Sequence, residues 1–226
     1  KKILILAGGY SNEREISIQT ARSVYKELKK NKKYNIKIKE PDGNLVKELR
    51  NFKPNLVFNL LHGRYGEDGY IQAILESEKI KYTHSGVLSS SLAIDKELSK
   101  KIFIKHKILT PKYIKFVFKK KIKKKKIIQE IKKKLNFPVV VKPINEGSSV
   151  DVYICNKSNF IKNLFKLESY GEALIEKFIP GREIQVAILG KRKLGAIELK
   201  PKRKFYDYEA KYNPRAKTEH IIPVRI

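Results

Sequence analysis

Lys142-Pro143-Ile144-Asn145-Glu146-Gly147-Ser148-Ser149-Val150 is the stretch on which the reading of this chain turns. It follows Phe137-Pro138-Val139-Val140-Val141, a short apolar run of the kind that forms a buried strand. A strand that ends in lysine and then runs into Glu-Gly-Ser-Ser brings a cation and a small-residue loop to one place. Gly147 lets backbone N–H groups approach a ligand closely, and Ser148 and Ser149 add hydroxyl donors. With the Lys142 ammonium these groups make a cradle for phosphate oxygens. The lysine precedes the glycine, so this is not the G-x-x-x-x-G-K-[ST] loop. An ordinary hairpin turn with one exposed lysine has the same letters, and the rest of the chain has to decide between them.

The chain has 226 residues, 41% of them hydrophobic, enough for a real core and two domains. No apolar run is long enough to cross a membrane, and Ile3-Leu4-Ile5-Leu6-Ala7 is too short for a signal-peptide core. A single cysteine, Cys155, excludes an internal disulfide framework and suits a reducing cytoplasm. The four histidines, at 62, 84, 106 and 220, form no zinc-type cluster. The formal net charge of +28 would suit a nucleic-acid binder. Its lysines are spread along the whole chain, however, in a mixture rich in Ile, Asn and Tyr that compositional drift produces. In the densest patch, Lys119 to Lys134, Ile127, Ile128, Ile131 and Leu135 recur at helical spacing, so those lysines read as a solvated helix face. There is no methionine, and the chain stops inside the apolar run Ile221-Ile222-Pro223-Val224, so both ends read as trimmed.

Residues 2–7 read as a buried strand broken by Gly8-Gly9, and Ser17 as the N-cap of a helix whose inward face carries Ile18, Ala21, Val24, Tyr25 and Leu28. Helix N-termini after such turns favour anions, which makes the acid Glu13 there unusual and suited to a ligand's ammonium group. Strands are expected at 34–39, 55–61 and 80–83, with helices at 45–52 and from Ile71 to Leu75. The 55–61 strand ends in His62-Gly63-Arg64-Tyr65-Gly66-Glu67-Asp68-Gly69, at the carboxyl end of a strand, where open α/β sheets bind ligands. Asp95-Lys96 opens a helix to His106 with Leu98, Ile102 and Phe103 inward. Strands follow at 113–118 and 173–175, a hairpin return at 150–155, a helix at 159–167, and a hairpin around Gly190-Lys191. Phe205 to Tyr212 carries four aromatics among charges and reads as a ligand-facing loop.

These pieces, in this order, resemble the D-alanine–D-alanine ligases. The residues that carry the likeness are Gly8-Gly9 with Ser11 to Ser17, Leu61-His62-Gly63 with Gly66-Glu67-Asp68-Gly69, Ser85-Gly86, Asp95-Lys96, Val141-Lys142-Pro143 with Glu146 to Val150, Glu176-Lys177-Phe178, and Phe205 to Tyr212. The resemblance implies an α/β and α+β fold, with an N-terminal three-layer parallel-sheet domain followed by ATP-grasp domains. The boundaries expected are 1–94 for substrate binding, 95–175 for the central ATP-grasp subdomain, and 176–226 for the start of an incomplete C-terminal subdomain. It implies ATP-dependent joining of two D-alanines through an acyl phosphate, for peptidoglycan precursors, in a cytoplasmic homodimer with no nucleic-acid or membrane partner.

The resemblance also implies roles. Lys96, Lys142, Ser148 and Ser149 would hold ATP phosphates, with Lys211 near the transferred phosphoryl group. Glu176 and the Lys177-Phe178-Ile179 backbone would read adenine, and Glu183 would take the ribose hydroxyls. Glu13 would bind the first substrate's ammonium and His62 would lie near its carboxylate, with Glu13, Ser148 and Tyr212 in one hydrogen-bonded set. Asp151 stands where such ligases have a glycine, and its charge near a triphosphate is unfavourable unless it points away. The Mg²⁺ ligands are expected beyond residue 226, and without them turnover is not expected. The alternatives are a non-catalytic ATP-binding remnant and a D-alanine–D-lactate ligase.

Overall fold

Alternation along the first strand sets the layers of the N-terminal part. In a computed structural model that describes residues 1–119, 123–203 and 206–224, β1 (Lys2–Leu6) is the middle strand of a parallel sheet. Leu4 and Leu6 face one way, into a core with Leu45, Leu49, Val57, Ile71 and Leu75. Ile3 and Ile5 face the other way, onto Ala21, Val24, Tyr25 and Leu28. A strand buried on both faces needs helices on both faces. They are α1 (Arg14–Leu28) on one side and, after β2 (Asn35–Lys39), α2 (Leu45–Phe52) on the other. The sheet order is β2-β1-β3, with β3 (Leu56–Asn59) paired parallel to β1. Three short helices follow: α3 (Tyr70–Ser77), α4 (Val87–Ile94) and α5 (Lys96–Lys105). This is the three-layer parallel arrangement expected.

Several local expectations need correction. Ser17 is not a cap: α1 begins three residues earlier, and the fully buried Ser17 hydroxyl accepts from the Gly8 N–H and donates to the Leu60 carbonyl. It ties the βα turn to the end of β3. Residues 80–83 form no strand but a single parallel bridge, Val57 to Tyr82. Helix α4 was not foreseen, since its run Val-Leu-Ser-Ser-Ser-Leu has little helical periodicity. On α5 Leu98 and Phe103 are exposed and Lys100 is buried, the reverse of the expected face.

The second compact unit comprises Lys107–Ile144 and Ser148–Ile226, while Asn145–Gly147 group with the first, Lys1–His106. It contains β4 (Tyr113–Val117), α6 (Lys124–Lys134), β5 (Val139–Pro143), β6 (Tyr153–Cys155), α7 (Phe160–Phe165) and β7 (Glu172–Lys177). The four strands form an antiparallel sheet in the order β4-β7-β5-β6. Ile131, Leu135, Val139, Val141, Phe160, Leu164 and Ile175 form its core, so α6 buries an isoleucine stripe and leaves its lysines in solvent. A second sheet, β10-β9-β8, is built from the hairpin β8 (Glu183–Leu189) and β9 (Arg192–Lys200), with β10 (Glu219–Ile221) on its edge. Between β9 and β10 lies the five-residue helix α8 (Tyr208–Tyr212), where a loop was expected; the Asp207 carboxylate caps it by accepting from the Ala210 N–H. Phe205, also assigned to that loop, lies outside the described residues.

Candidate active site

In the first unit, the turn after β1 has its own anion. The Glu40 carboxylate accepts from the Gly9 N–H at 3.0 Å and from the Arg14 guanidinium at 2.7 Å through both of its oxygens. The contact with Arg14 holds Glu40 below the usual carboxylate range. A Cβ on Gly8 would stand 2.5 Å from Glu40 Oε1, and the positive φ of 85° there is one that glycine adopts without strain. The glycine turn before α1 is therefore answered by a side chain of the protein.

Glu13, at the N-cap position of α1, is only 5% exposed. Its Oε2 lies 3.3 Å from the point where a Gly147 Cβ would be and 3.6 Å from the corresponding point on Gly63. Two glycines thus leave the carboxylate flanked by backbone. The Lys96 ammonium donates to the Glu146 carbonyl, which orders the segment carrying Gly147.

The 62–69 loop is held from within. Asn59 Nδ2 and Gln72 Nε2 both donate to the Gly66 carbonyl at 2.9 Å, Glu67 accepts from the Gly63 N–H, and Asp68 accepts from the N–H groups of Tyr65 and Tyr70. His62 Nδ1 lies 3.8 Å from Glu67 Oε1. Attraction to Glu67 raises the His62 pKa against the opposing effect of burial. Burial pushes Glu67 up, but His62 and the Gly63 N–H outweigh it and leave the carboxyl below its ordinary value. His62 Nε2 is buried with no hydrogen-bond partner among the described residues. A cavity of about 610 Å³ beside this loop is lined by Gly9, Tyr10, His62, Tyr65 and Tyr70.

In the second unit the strand register makes the contacts. Val140 pairs with Glu176 across β5 and β7, so Lys142, two residues on, is a diagonal neighbour on the same face. The Lys142 ammonium meets Glu176 Oε2 at 2.8 Å, and Glu176 is nearly buried. The Lys177 and Phe178 N–H groups donate to the carbonyls of Lys112 and Pro138. Ile179 lies past the sheet and is exposed.

The Ser148-Ser149 loop meets the region around α8. Ser148 Oγ and the Tyr212 hydroxyl are 2.7 Å apart, and Ser149 Oγ donates to the Tyr206 carbonyl at 3.1 Å. The Tyr206 N–H donates to Glu183, and the Lys211 ammonium lies 5.4 Å from the Tyr206 ring centroid. Burial and then the Glu183 charge raise the Tyr206 pKa. The structure thus brings together Ser148 with Tyr212, Ser149, Glu183 and Lys211 around Tyr206, and Lys142 with Glu176.

The family model for the D-Ala D-Ala ligase C-terminus matches residues 102–226. The D-alanine–D-alanine ligase of Pelagibacter ubique is 68% identical over 224 residues, which are 99% of this chain and 73% of that protein. The chain belongs to the D-alanine–D-alanine ligase family. Among solved structures, that ligase from Bacillus anthracis matches with a TM-score of 0.82 and 35% identity, over 100% of this chain and 72% of the other. The same ligase complexed with ATP matches with a TM-score of 0.79 and 29% identity, over 100% and 71%. The fold is therefore that of an ATP-grasp ligase.

Within this family, the sequence reading missed Tyr206 as a hub, Glu40 as the internal anion and Glu67 as the partner of His62. Tyr206 acts through its backbone and ring, for which the sequence carries no signal beyond its place in the aromatic run Phe205 to Tyr212. For ATP the donor set fits: a strand lysine, two serine hydroxyls and a glycine-flanked loop. For Mg²⁺ it does not, since among the described residues no group of three or more His, Cys, Asp or Glu is placed to hold a metal ion. Among those residues no helix is long and apolar enough to cross a membrane.

Proposed function

We propose that this chain supplies the ATP-binding and first-substrate part of a ligase that joins two D-alanines with cleavage of ATP, the first D-alanine being activated as an acyl phosphate. The observation that carries this reading is the 2.7 Å contact between Ser148 and Tyr212. Two motifs 64 residues apart in sequence meet there, as a lid loop and a closing segment must. The name of the relative at 68% identity favours D-alanine over D-lactate as the second substrate.

Glu13 takes the ammonium of the first D-alanine. A buried carboxylate flanked by two glycines admits a small cation and excludes bulk. His62 Nε2 donates to that substrate's carboxylate, since Glu67 beside Nδ1 favours the doubly protonated ring. Lys96, Lys142, Ser148 and Ser149 bind the phosphates, where two cations and two hydroxyls offset charge that develops during transfer. Lys211 lies close to the transferred group. Adenine is read by Glu176, the Lys177 carbonyl and the Ile179 N–H, because the Lys177 and Phe178 N–H groups are already engaged in the sheet. Glu183 accepts from the ribose. ATP and D-alanine are the partners, a homodimer in the cytoplasm is the working state, and no step is assigned to a metal.

The test is phosphate release from ATP by the full-length protein with D-alanine, with L-alanine, and with neither. Release that requires D-alanine, with D-alanyl-D-alanine as product, is expected. Release indifferent to D-alanine would overturn the reading.

A further inference from the structure

The Ser148–Asp151 turn holds three residues with side chains in left-handed backbone: φ is 47° at Ser148, 62° at Ser149 and 52° at Asp151. Such a turn keeps its shape only if its surroundings impose it. Aspartate is one of the few residues other than glycine that tolerate this region, and here its side chain is engaged at both oxygens. Asp151 Oδ1 accepts from the Tyr153 hydroxyl at 2.6 Å and Oδ2 from the Tyr170 hydroxyl at 2.7 Å. Tyr153 is on β6, packs against the core, and has the Lys166 ammonium over its ring at 4.7 Å. Tyr170 ends the 3-10 turn that leads into β7. One carboxylate therefore fastens the turn to two separate parts of the second unit. On its other side the same turn is fastened by Ser148 to Tyr212 and by Ser149 to Tyr206. The turn itself lines an open cavity of about 610 Å³ through Ser149 and Asp151, together with Tyr153, Asn159 and Tyr208.

We infer that Asp151 is a positioning residue, the fixed foot of the serine loop, holding Ser148 and Ser149 toward Tyr212 and Tyr206 through the hydroxyls of Tyr153 and Tyr170. The inference rests on the reading of this loop as the holder of ATP phosphates. It explains how a carboxylate stands where glycine would serve the backbone alone. Its charge is turned onto two hydroxyl donors, and the bonds that turn it also fix the loop.

The test uses Asp151→Gly, which keeps the backbone conformation accessible while removing the foot, and the milder Tyr170→Phe. Hydrogen exchange is read first, because it needs no ATP. In Asp151→Gly the amides of 148–152 are expected to exchange at least about tenfold faster, with β5 and β7 unchanged, as loss of two charge-assisted hydrogen bonds implies. The KM for ATP is expected to rise about tenfold while that for D-alanine stays within about twofold. Tyr170→Phe gives a smaller shift in both readouts and a less than additive one in the Asp151→Gly background. Unchanged exchange in Asp151→Gly, or fully additive effects of the two changes, overturns the foot. Faster exchange with an unmoved KM for ATP in an active enzyme keeps the foot and removes the phosphate role of the loop. If the wild type uses no ATP, that reading fails and exchange alone decides on Asp151.

Discussion

Glu13 and Glu40 are two acids at one turn with different surroundings. Glu40 already serves Gly9 and Arg14, while Glu13 is buried between two glycine backbones. Glu13→Gln keeps size and polarity but loses the charge that an ammonium needs. D-Alanine affinity is expected to fall about 30-fold with ATP affinity unchanged, as titration calorimetry with each ligand would show; equal losses for both would contradict the assignment. Lys142 poses the complementary case. Lys142→Ala leaves the nearly buried Glu176 without that cation, so stability is expected to drop by about 3 kcal/mol in urea unfolding. ATP affinity should fall tenfold or more by the approximate worth of a charged hydrogen bond, and D-alanine affinity should hold. Lys142 was legible in the sequence because it ends an apolar run, and Glu176 because of the resemblance. Their ion pair was not, since it follows from a strand register between positions 34 apart that the sequence does not reveal.

At the scale of elements, the 62–69 loop shows how a short segment is held. Adding a Cβ to Gly66 would place it 2.4 Å from Leu61 Cβ and 2.8 Å from the Leu61 backbone carbon. Backbone cannot yield as a flexible side chain can, so Gly66→Ala is expected to cost about 2–3 kcal/mol, seen as a lower Tm. The same loop carries a pH dependence whose sign follows from three groups. His62 is raised above its ordinary 6.5, so its contribution to stability is complete below that value and is lost as pH rises through its folded pKa. Glu67 is lowered from 4.5, so its contribution is present above that value and is lost as pH falls through its folded pKa. Burial lowers His84, which works in the opposite sense to His62 and destabilises as pH falls, although Glu67 opposes the shift. Glu67→Gln removes what Glu67 gives to both histidines. The Tm difference from wild type should thus be largest between pH 4.5 and 6.5 and shrink toward alkaline pH. A difference constant with pH would exclude the pair. Helix α2 and the β8–β9 hairpin were readable from periodicity alone. Helix α8 was not, because an aspartate cap and five residues leave no period to read.

For the molecule as a whole, the largest number in the sequence is its charge, and the structure shows how little of it the fold uses. The α6 lysines point to solvent, and several ion pairs are exposed pairs within one turn, such as Lys134 with Glu130 and Lys30 with Glu27. Pairs of that kind contribute little each. With 51 basic against 23 acidic residues, most cations repel one another across the surface. Salt shortens the Debye length from about 30 Å at 0.01 M to about 10 Å at 0.1 M, so it should relieve that repulsion. The Tm is therefore expected to rise by several degrees over this range. The KM for ATP should rise as well, because the same screening weakens the proposed pull of lysine ammonium groups such as Lys142 on the triphosphate. A basic nucleic-acid binder would share the first effect and would add tight, steeply salt-dependent binding to duplex DNA. A rising Tm, a rising KM for ATP and only weak DNA binding, measured on one preparation, would mark the charge as a property of the surface that the ligase chemistry exploits at only a few points. A Tm that falls with salt would mean that the surface pairs outweigh the repulsion, and the charge would then need a structural explanation that solvated lysines do not give.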